Sequence, residues 1–447
     1  MTEQLKLKLN DSKATRWGAL VIVAFTMMAA YYVNDVVAPL KTMLETDLAW
    51  SSTDFGFFTG GYSFLNVFFL MLIWGGLILD RFGIRFTGKL ATILMVGGTA
   101  LEYYAMTGLA GADATLFGIN EIFGYKTGVF VAFAGYSIFG VGAEVAGITV
   151  SKIIAKWFKG KELATAMGVQ VALARIGSQA GYAVAIPLAR AFGISTPVLL
   201  GLVLLLGGMI AFFIFAVMDK KLDKQMEAAA IAAGTEDEEE KFSFKDVKNI
   251  LVNPGFWLIA LLCVLFYSCV FPFQKFASEL MIIKYGINEN VAGTFAGLPA
   301  LGALILTPVF GGFIDKRGKS ASIMLLGSAM LICVHFIYAI PDINYWLVAI
   351  VLMIILGIAF SLVPSAMWPA VAKIFPVSQL GTAYALIFFI QNIGLWGIPT
   401  LIGWVLDAYC ISGKKPDGTN MYDYTVPMCM KQLCERFLSH GLVRFVQ

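Results

Sequence analysis

Apolar runs long enough to cross a lipid bilayer recur along the whole of this chain, and no other feature narrows its fold as much. They fall at 17–40, 54–79, 87–110, 128–155, 163–190 and 195–218. After a polar stretch they resume at 255–283, 291–314, 320–340, 345–372 and 380–409. About twenty apolar residues in a helix match a hydrocarbon core of roughly 30 Å. Lipid offers no water to unpaired backbone groups, so each run is read as a helix and the expected class is an all-α polytopic membrane protein. Composition agrees: 59% hydrophobic residues, 14% charged residues and a mean hydropathy of +0.80 exclude an ordinary soluble domain. The 45 glycines and 14% aromatics suit close helix contacts and interfacial belts.

The short connections set the orientation. Lys6, Lys8, Lys13 and Arg16 precede the first run, and Arg81, Arg85 and Lys89 follow the second. Lys156, Lys159 and Lys161 follow the fourth, Lys220, Lys221 and Lys224 the sixth, and Lys316, Arg317 and Lys319 the eighth. All fall on one side, which predicts a cytoplasmic N-terminus. Because the cations cluster in loops, the net charge of +3 says little about partners. The expected partners are a lipid bilayer and a small-molecule substrate, with no nucleic acid, and the chain is expected to act as a monomer. Six cysteines show neither metal spacing nor a disulfide framework. Residues 2–15 lack the apolar core of a cleavable signal peptide. No phosphate-binding loop, zinc spacing or catalytic serine signature is present, so an enzyme or an ATP-driven pump is not expected, nor a cofactor or a metal.

The chain repeats itself. Gly76-Leu77-Ile78-Leu79-Asp80-Arg81-Phe82-Gly83 follows the second run, and Gly311-Gly312-Phe313-Ile314-Asp315-Lys316-Arg317-Gly318 follows the eighth, an offset of 315 − 80 = 235. Ala155-Lys156-Trp157-Phe158 pairs with Ala372-Lys373-Ile374-Phe375 at an offset of 372 − 155 = 217, and Ile176-Gly177 with Ile393-Gly394 at the same offset. The offset shrinks because the first half carries a long loop at 111–127. The expected domains are a six-helix bundle at 1–218, a cytoplasmic linker at 219–250 and a second bundle at 251–447. Two bundles of this kind make a transporter architecture with its site between the halves. The acidic run from Glu236 to Glu240 reads as a solvated face of the linker, partly helical or disordered. A twelfth run is expected after Tyr424. Lys431, Glu435, Arg436, His440 and Arg444 fall there instead, and central charges cost about 2.5–3.5 kcal/mol each on insertion scales. That stretch is not expected to span, and a truncated or frameshifted ending is the expectation.

Two charges stand where lipid makes them expensive. Glu144 lies 12 residues before Lys156, and Arg175 lies 13 residues after Glu162. At 1.5 Å per residue both sit about 18–20 Å from the basic loop between them, past mid-membrane and level with each other. Such residues mark a functional site by default. A self-neutralising structural pair is the plainer reading, and the pair could close when empty and open onto a zwitterion. At the 217 offset Glu144 maps to Ser361 and Arg175 to Asn392, so Ser361, Asn392 and nearby Trp368 are expected to line the opposite side with neutral groups. Gly76, Asp80, Arg81 and Gly83, with Gly311, Asp315, Lys316 and Gly318, form either a conformational latch at the basic end or a simple basic turn. Asp35 is expected to cap at the interface, Lys275 and Glu279 to pair one helical turn apart, and His335 to pack. Glu102 is left as structural or interfacial.

The residues Tyr62-Ser63-Phe64-Leu65-Asn66-Val67, Trp157-Phe158-Lys159-Gly160-Lys161-Glu162-Leu163 and Ala174-Arg175-Ile176-Gly177-Ser178 resemble the major facilitator superfamily, within it the lysosomal dipeptide transporter group and its relatives. Phe266-Tyr267, Phe271-Pro272-Phe273, Trp368-Pro369, Gln379-Leu380-Gly381-Thr382-Ala383-Tyr384 and Gln391-Asn392 extend the resemblance, which covers 17–409. It implies two six-helix pseudo-repeats and a facilitative carrier of dipeptides working by alternating access. It also implies that Glu144 takes the substrate amine and Arg175 the carboxylate, with Tyr62 and Asn66 as further contacts. Leu65 stands where proline is expected, and the acidic dileucine sorting signal of the lysosomal group is not seen, so a bacterial inner membrane is the expected address. A proton-coupled carrier of organic or inorganic anions, and a receptor on a dead transporter fold, remain as alternatives.

Overall fold

The computed structural model describes residues 8–111, 114–159, 161–233, 244–375, 377–415 and 417–428. The first half contains α1 (Lys13–Val36), α2 (Lys41–Asp47), α3 (Ser52–Phe68), α4 (Met71–Thr107), α5 (Thr127–Trp157), α6 (Leu163–Phe192) and α7 (Thr196–Ala233). After α8 (Phe244–Val252), the second half contains α9 (Pro254–Tyr285), α10 (Glu289–Ala296), α11 (Leu298–Arg317), α12 (Ser320–Ala339), α13 (Trp346–Ile374) and α14 (Val377–Tyr409). Two small hairpins, β1–β2 (Glu121–Ile122, Tyr125–Lys126) and β3–β4 (Ile411–Lys414, Asn420–Tyr422), sit in loops at one end.

Local chemistry sets the helix starts. Ser12 caps α1 through Thr15, Ser51 and Asp54 form a capping box on α3, and Asn253 caps α9 ahead of Pro254. Among the described residues eight helices are long and apolar enough to cross a membrane, or nine with the pair α3 and α4, which meet at a 58° bend. Inside α4 the backbone turns at Gly83, where φ is 76°, and this separates the second and third runs. Gly318, its counterpart in the repeat, takes φ 66°. Both conformations lie in the left-handed region that glycine adopts without strain. Counting both arms of that bend and α6, which is long but more polar, the described rods match the eleven runs of the sequence. α7 carries the sixth run into the linker, so the linker is helical in part, while its acidic run lies outside the described residues. The stretch read as failing to span lies outside them from residue 429.

Within the halves α4 packs along α5, α1 along α6 and α7, and α13 along α11 and α12. Between halves α3 meets α14, and α6 meets α10 and α11. In the repeat these are the second run against the eleventh and the fifth against the eighth, so the two contacts are equivalent by pseudo-symmetry. The loops with the clustered Lys and Arg mark a basic end of the bundle. At the opposite, far end α3 and α14 come so close that a Cβ on Gly403 would sit 2.2 Å from the Ser52 carbonyl oxygen, and one on Gly56 2.5 Å from that of Pro399. Polar contacts close the same end. Lys41 meets Glu279 at 2.5 Å, Lys275 meets Asp35 at 3.2 Å, and Thr53 N–H donates to Asp407 at 2.6 Å. Arg190 of α6 pairs with Glu289 of α10.

Candidate functional site

Glu144 and Arg175 come from consecutive helices, α5 and α6, yet they do not pair. Glu144 accepts a hydrogen bond of 3.0 Å from the Tyr62 hydroxyl on α3. Arg175 lies between two rings, 5.5 Å from the centroid of Tyr31 on α1 and 5.0 Å from that of Phe360 on α13. Among the described residues no carboxylate or hydrogen-bond acceptor meets its guanidinium. Aromatic faces attract a nearby cation, and a guanidinium can grip a carboxylate with two hydrogen bonds. Tyr31 stands within electrostatic reach of both Arg175 and Glu144. The two charges are thus held near one tyrosine and apart from each other.

Other expected contacts fall into two groups. Asn66 lies one turn beyond Tyr62 on α3, is buried, and leaves both amide atoms without a partner among the described residues. A buried bare amide is costly. Trp368 is half-buried, with its indole N–H donating to the Tyr267 hydroxyl at 3.3 Å. Ser361 and Asn392 behave otherwise. Each is buried and donates to a carbonyl of its own helix, Ser361 to Gly357 at 2.7 Å and Asn392 to Phe388 at 2.9 Å. Asn392 still leaves its Oδ1 without a partner among the described residues. Short polar side chains in helices bond back one turn, an option that mapping through the repeat does not reveal.

The far end departs from expectation. Lys275 does not pair with Glu279; it reaches across the halves to Asp35 and to the Asn34 carbonyl at 2.5 Å, with the Tyr136 hydroxyl at 3.3 Å. Asp35 is therefore a buried partner of the other half, not an interfacial cap. Glu279 instead shares Lys41 with Glu45, each at 2.5 Å, and accepts from Tyr424 beyond β4. Lys415, from the hairpin loop, approaches both carboxylates at 3.7 and 3.8 Å. Glu102 is fully buried, and neither carboxylate oxygen has a hydrogen-bond partner among the described residues. His335 is packed, 3.0 Å from the Leu331 carbonyl and against Phe273.

At the basic end Asp80 meets Lys152 at 3.0 Å, the carboxylate exposed and the lysine partly so, both in the first half. Arg81 lies over Phe82, and Gly76, Gly311 and Gly312 face open space. Lys316 and Arg317 end α11, and the side chain of Asp315 lies outside what is described. A denser cluster went unnoticed in the sequence. Asp219, fully buried, accepts from Lys156 at 2.8 Å and from the Trp157 indole at 2.9 Å, and Arg85 meets Asp223 at 2.7 Å. Arg16 grips Glu162 through two nitrogens, and Lys161 meets Asp11 at 2.7 Å.

Comparison with known proteins fits this geometry. The chain is 29% identical over 409 residues to the lysosomal dipeptide transporter MFSD1 of Homo sapiens, covering 88% of this chain and 81% of that protein. It is 33% identical over 287 residues to the protein of the same name in Gallus gallus, covering 61% and 62% of the two chains. Among solved structures the nucleoside transporter NupG shares the fold at a TM-score of 0.70 and 12% identity, covering 96% of this chain and 99% of its own. The inward open xylose transporter XylE from E. coli does so at 0.66 and 15%, covering 95% of each. Residues 20–397 match the family description of the Major Facilitator Superfamily, and the chain belongs to that superfamily.

Proposed function

We propose that this chain is a facilitative carrier of dipeptides that works by alternating access. Glu144 binds the substrate ammonium, Arg175 binds the carboxylate, Tyr62 orients Glu144, and Asn66 serves the peptide group between them. The observation that carries the reading is the separation of the two charges: Glu144 is held by Tyr62, and Arg175 stands beside two rings with no hydrogen-bond acceptor on its guanidinium among the described residues. The charged ends of a dipeptide lie about 6–7 Å apart along extended chain. A guanidinium and a carboxylate left unpaired inside a bilayer are costly, and a zwitterion between them satisfies both. The similarity to dipeptide transporters supports the same reading. With the far end sealed, substrate reaches the site from the basic end. The clustered Lys and Arg support a cytoplasmic position for that end, and the proposed address is a bacterial inner membrane. A reporter fused to the N-terminus checks the orientation.

Ligand binding raises the melting temperature by mass action, so thermal unfolding tests the site. A free dipeptide is expected to stabilise the protein, and its N-acetylated and C-amidated analogues are not. If both blocked analogues stabilise it equally well, the two-ended reading fails. If only the N-acetylated analogue stabilises it, the site is an anion site built on Arg175 alone.

A further inference from the structure

From the wall that faces Arg175 we infer that the carrier reads the side chain of the substrate's carboxyl-terminal residue and prefers aromatic or large apolar ones there. The inference rests on the dipeptide reading above and goes beyond it to selectivity. Phe360, whose ring lies 5.0 Å from the Arg175 guanidinium, begins a continuous aromatic surface on the second half. Phe271 meets Phe360 edge-on at 5.5 Å and stacks on Tyr267 at 5.5 Å. Tyr267 leads to Trp368 at 6.4 Å, and Trp368 packs on Phe388 at 4.9 Å and Tyr384 at 5.7 Å. Trp368 and Phe271 are partly exposed, whereas Phe360 and Tyr267 lie behind them. Of the neutral polar groups on this side, the Ser361 hydroxyl donates within its own helix, and Asn392 is buried with its amide N–H on the Phe388 carbonyl, leaving only its Oδ1 without a partner among the described residues.

Position within the substrate follows from charge. The carboxylate sits on Arg175, so the α-carbon that bears it lies beside Phe360. Its side chain has two directions. Toward the first half it meets the hydroxyls of Tyr31 and Tyr62, the Asn66 amide and Glu144. Toward the second half it meets rings. Apolar side chains gain by covering apolar surface, and rings gain further from edge and offset stacking. The residue bearing the ammonium lies near Glu144, away from this wall. The chemistry therefore separates two isomers of identical composition, Ala-Phe and Phe-Ala.

The test titrates the full-length protein in detergent with Ala-Ala, Ala-Phe and Phe-Ala and reads affinity from the thermal shift. Ala-Phe is expected to bind on the order of tenfold more tightly than Phe-Ala. Trp368→Ala is expected to bring the ratio of the two isomers close to one, and Trp368→Phe to keep it well above one, which separates loss of the ring from loss of the fold. Equal binding of the two isomers by the wild type, or tighter binding of Phe-Ala, overturns this inference while leaving the dipeptide reading intact. Stabilisation by none of the three overturns both.

Discussion

The mid-depth site and the far-end seal are built from the same residue types and differ in one respect. At the far end two buried cations have anions: Lys41 is shared by Glu45 and Glu279, and Lys275 is taken by Asp35. At mid-depth Glu144 and Arg175 stand apart, each steadied by aromatic side chains. Paired charges hold two halves of a molecule together. Under the proposed function, unpaired ones kept apart by neutral neighbours await the two ends of a zwitterion. Buried pairs add little stability over apolar packing, so their use at the far end is to be made in one state and broken in the other.

The largest expected effect breaks this comparison from the site. Arg175→Ala and Glu144→Ala should each abolish dipeptide uptake into proteoliposomes, since either leaves one charged end of the substrate unmet. Arg175→Lys should rescue little, because an ammonium lacks the planar fork. Neither residue has an ionic partner to orphan, so the empty variants should unfold near the wild-type temperature. A collapse in stability with Arg175→Ala would show a structural pair where the separated trap is drawn.

Next comes the seal. Lys41→Met leaves Glu45 and Glu279 buried with the Ser52 and Tyr424 hydroxyls and, among the described residues, with Lys415 as the nearest remaining cation, at 3.7 and 3.8 Å. Removing one partner of a buried pair costs about 3–5 kcal/mol, here charged to the closed state alone. A ligand-free population shift toward opening at the far end follows. Cysteines placed along the upper turns of α3 should label faster from that side. Unchanged labelling would mean that the Gly56–Gly403 approach, not the ionic cluster, holds the end shut.

Much of this was legible in the sequence. The spans follow from apolar runs, and the turn at Gly83 from a glycine motif that occurs twice. Partnerships were not legible. Asp35 and Lys275 are 240 residues apart, and nothing local says that they meet. Lys275 and Glu279 have the spacing of a helical pair, yet tertiary partners outcompete a bond worth a few tenths of a kcal/mol in isolation. Repeat mapping found the positions of Ser361 and Asn392 but not their local hydrogen bonds. The cage around Arg175 draws its rings from α1 and α13, one from each half, so only the assembled fold displays it.

A smaller effect is expected from Asp80→Asn. Its pair with Lys152 is exposed and lies within one half, and such pairs contribute about 0–1 kcal/mol. Thermal stability should barely move. If Asp80 latches the basic end when that end closes, the variant should still label faster from the basic side in the presence of substrate. Identical labelling in both conditions reduces the motif to a turn that fixes orientation.

The smallest effect sharpens the contrast between buried and exposed charge. Hydrogen bonding from Lys161 holds Asp11 below the usual carboxylate range, and the Arg16 guanidinium does the same for Glu162. A carboxylate with a depressed pKa stabilises the folded form above its unfolded pKa, and that contribution disappears as pH falls through the folded value. The tie between the N-terminal segment and the loop after α5 should therefore hold at neutral pH and loosen only in acid, below the ordinary carboxylate range. Both groups are open to solvent, so salt should weaken the tie as well. Hydrogen exchange at residues 8–16, followed from neutral pH into acid after correction for intrinsic rates, measures this directly. Arg16→Gln should remove the Glu162 share of the pH dependence and leave that of Asp11. Loosening that begins near neutral pH instead would assign the tie to a different titrating group.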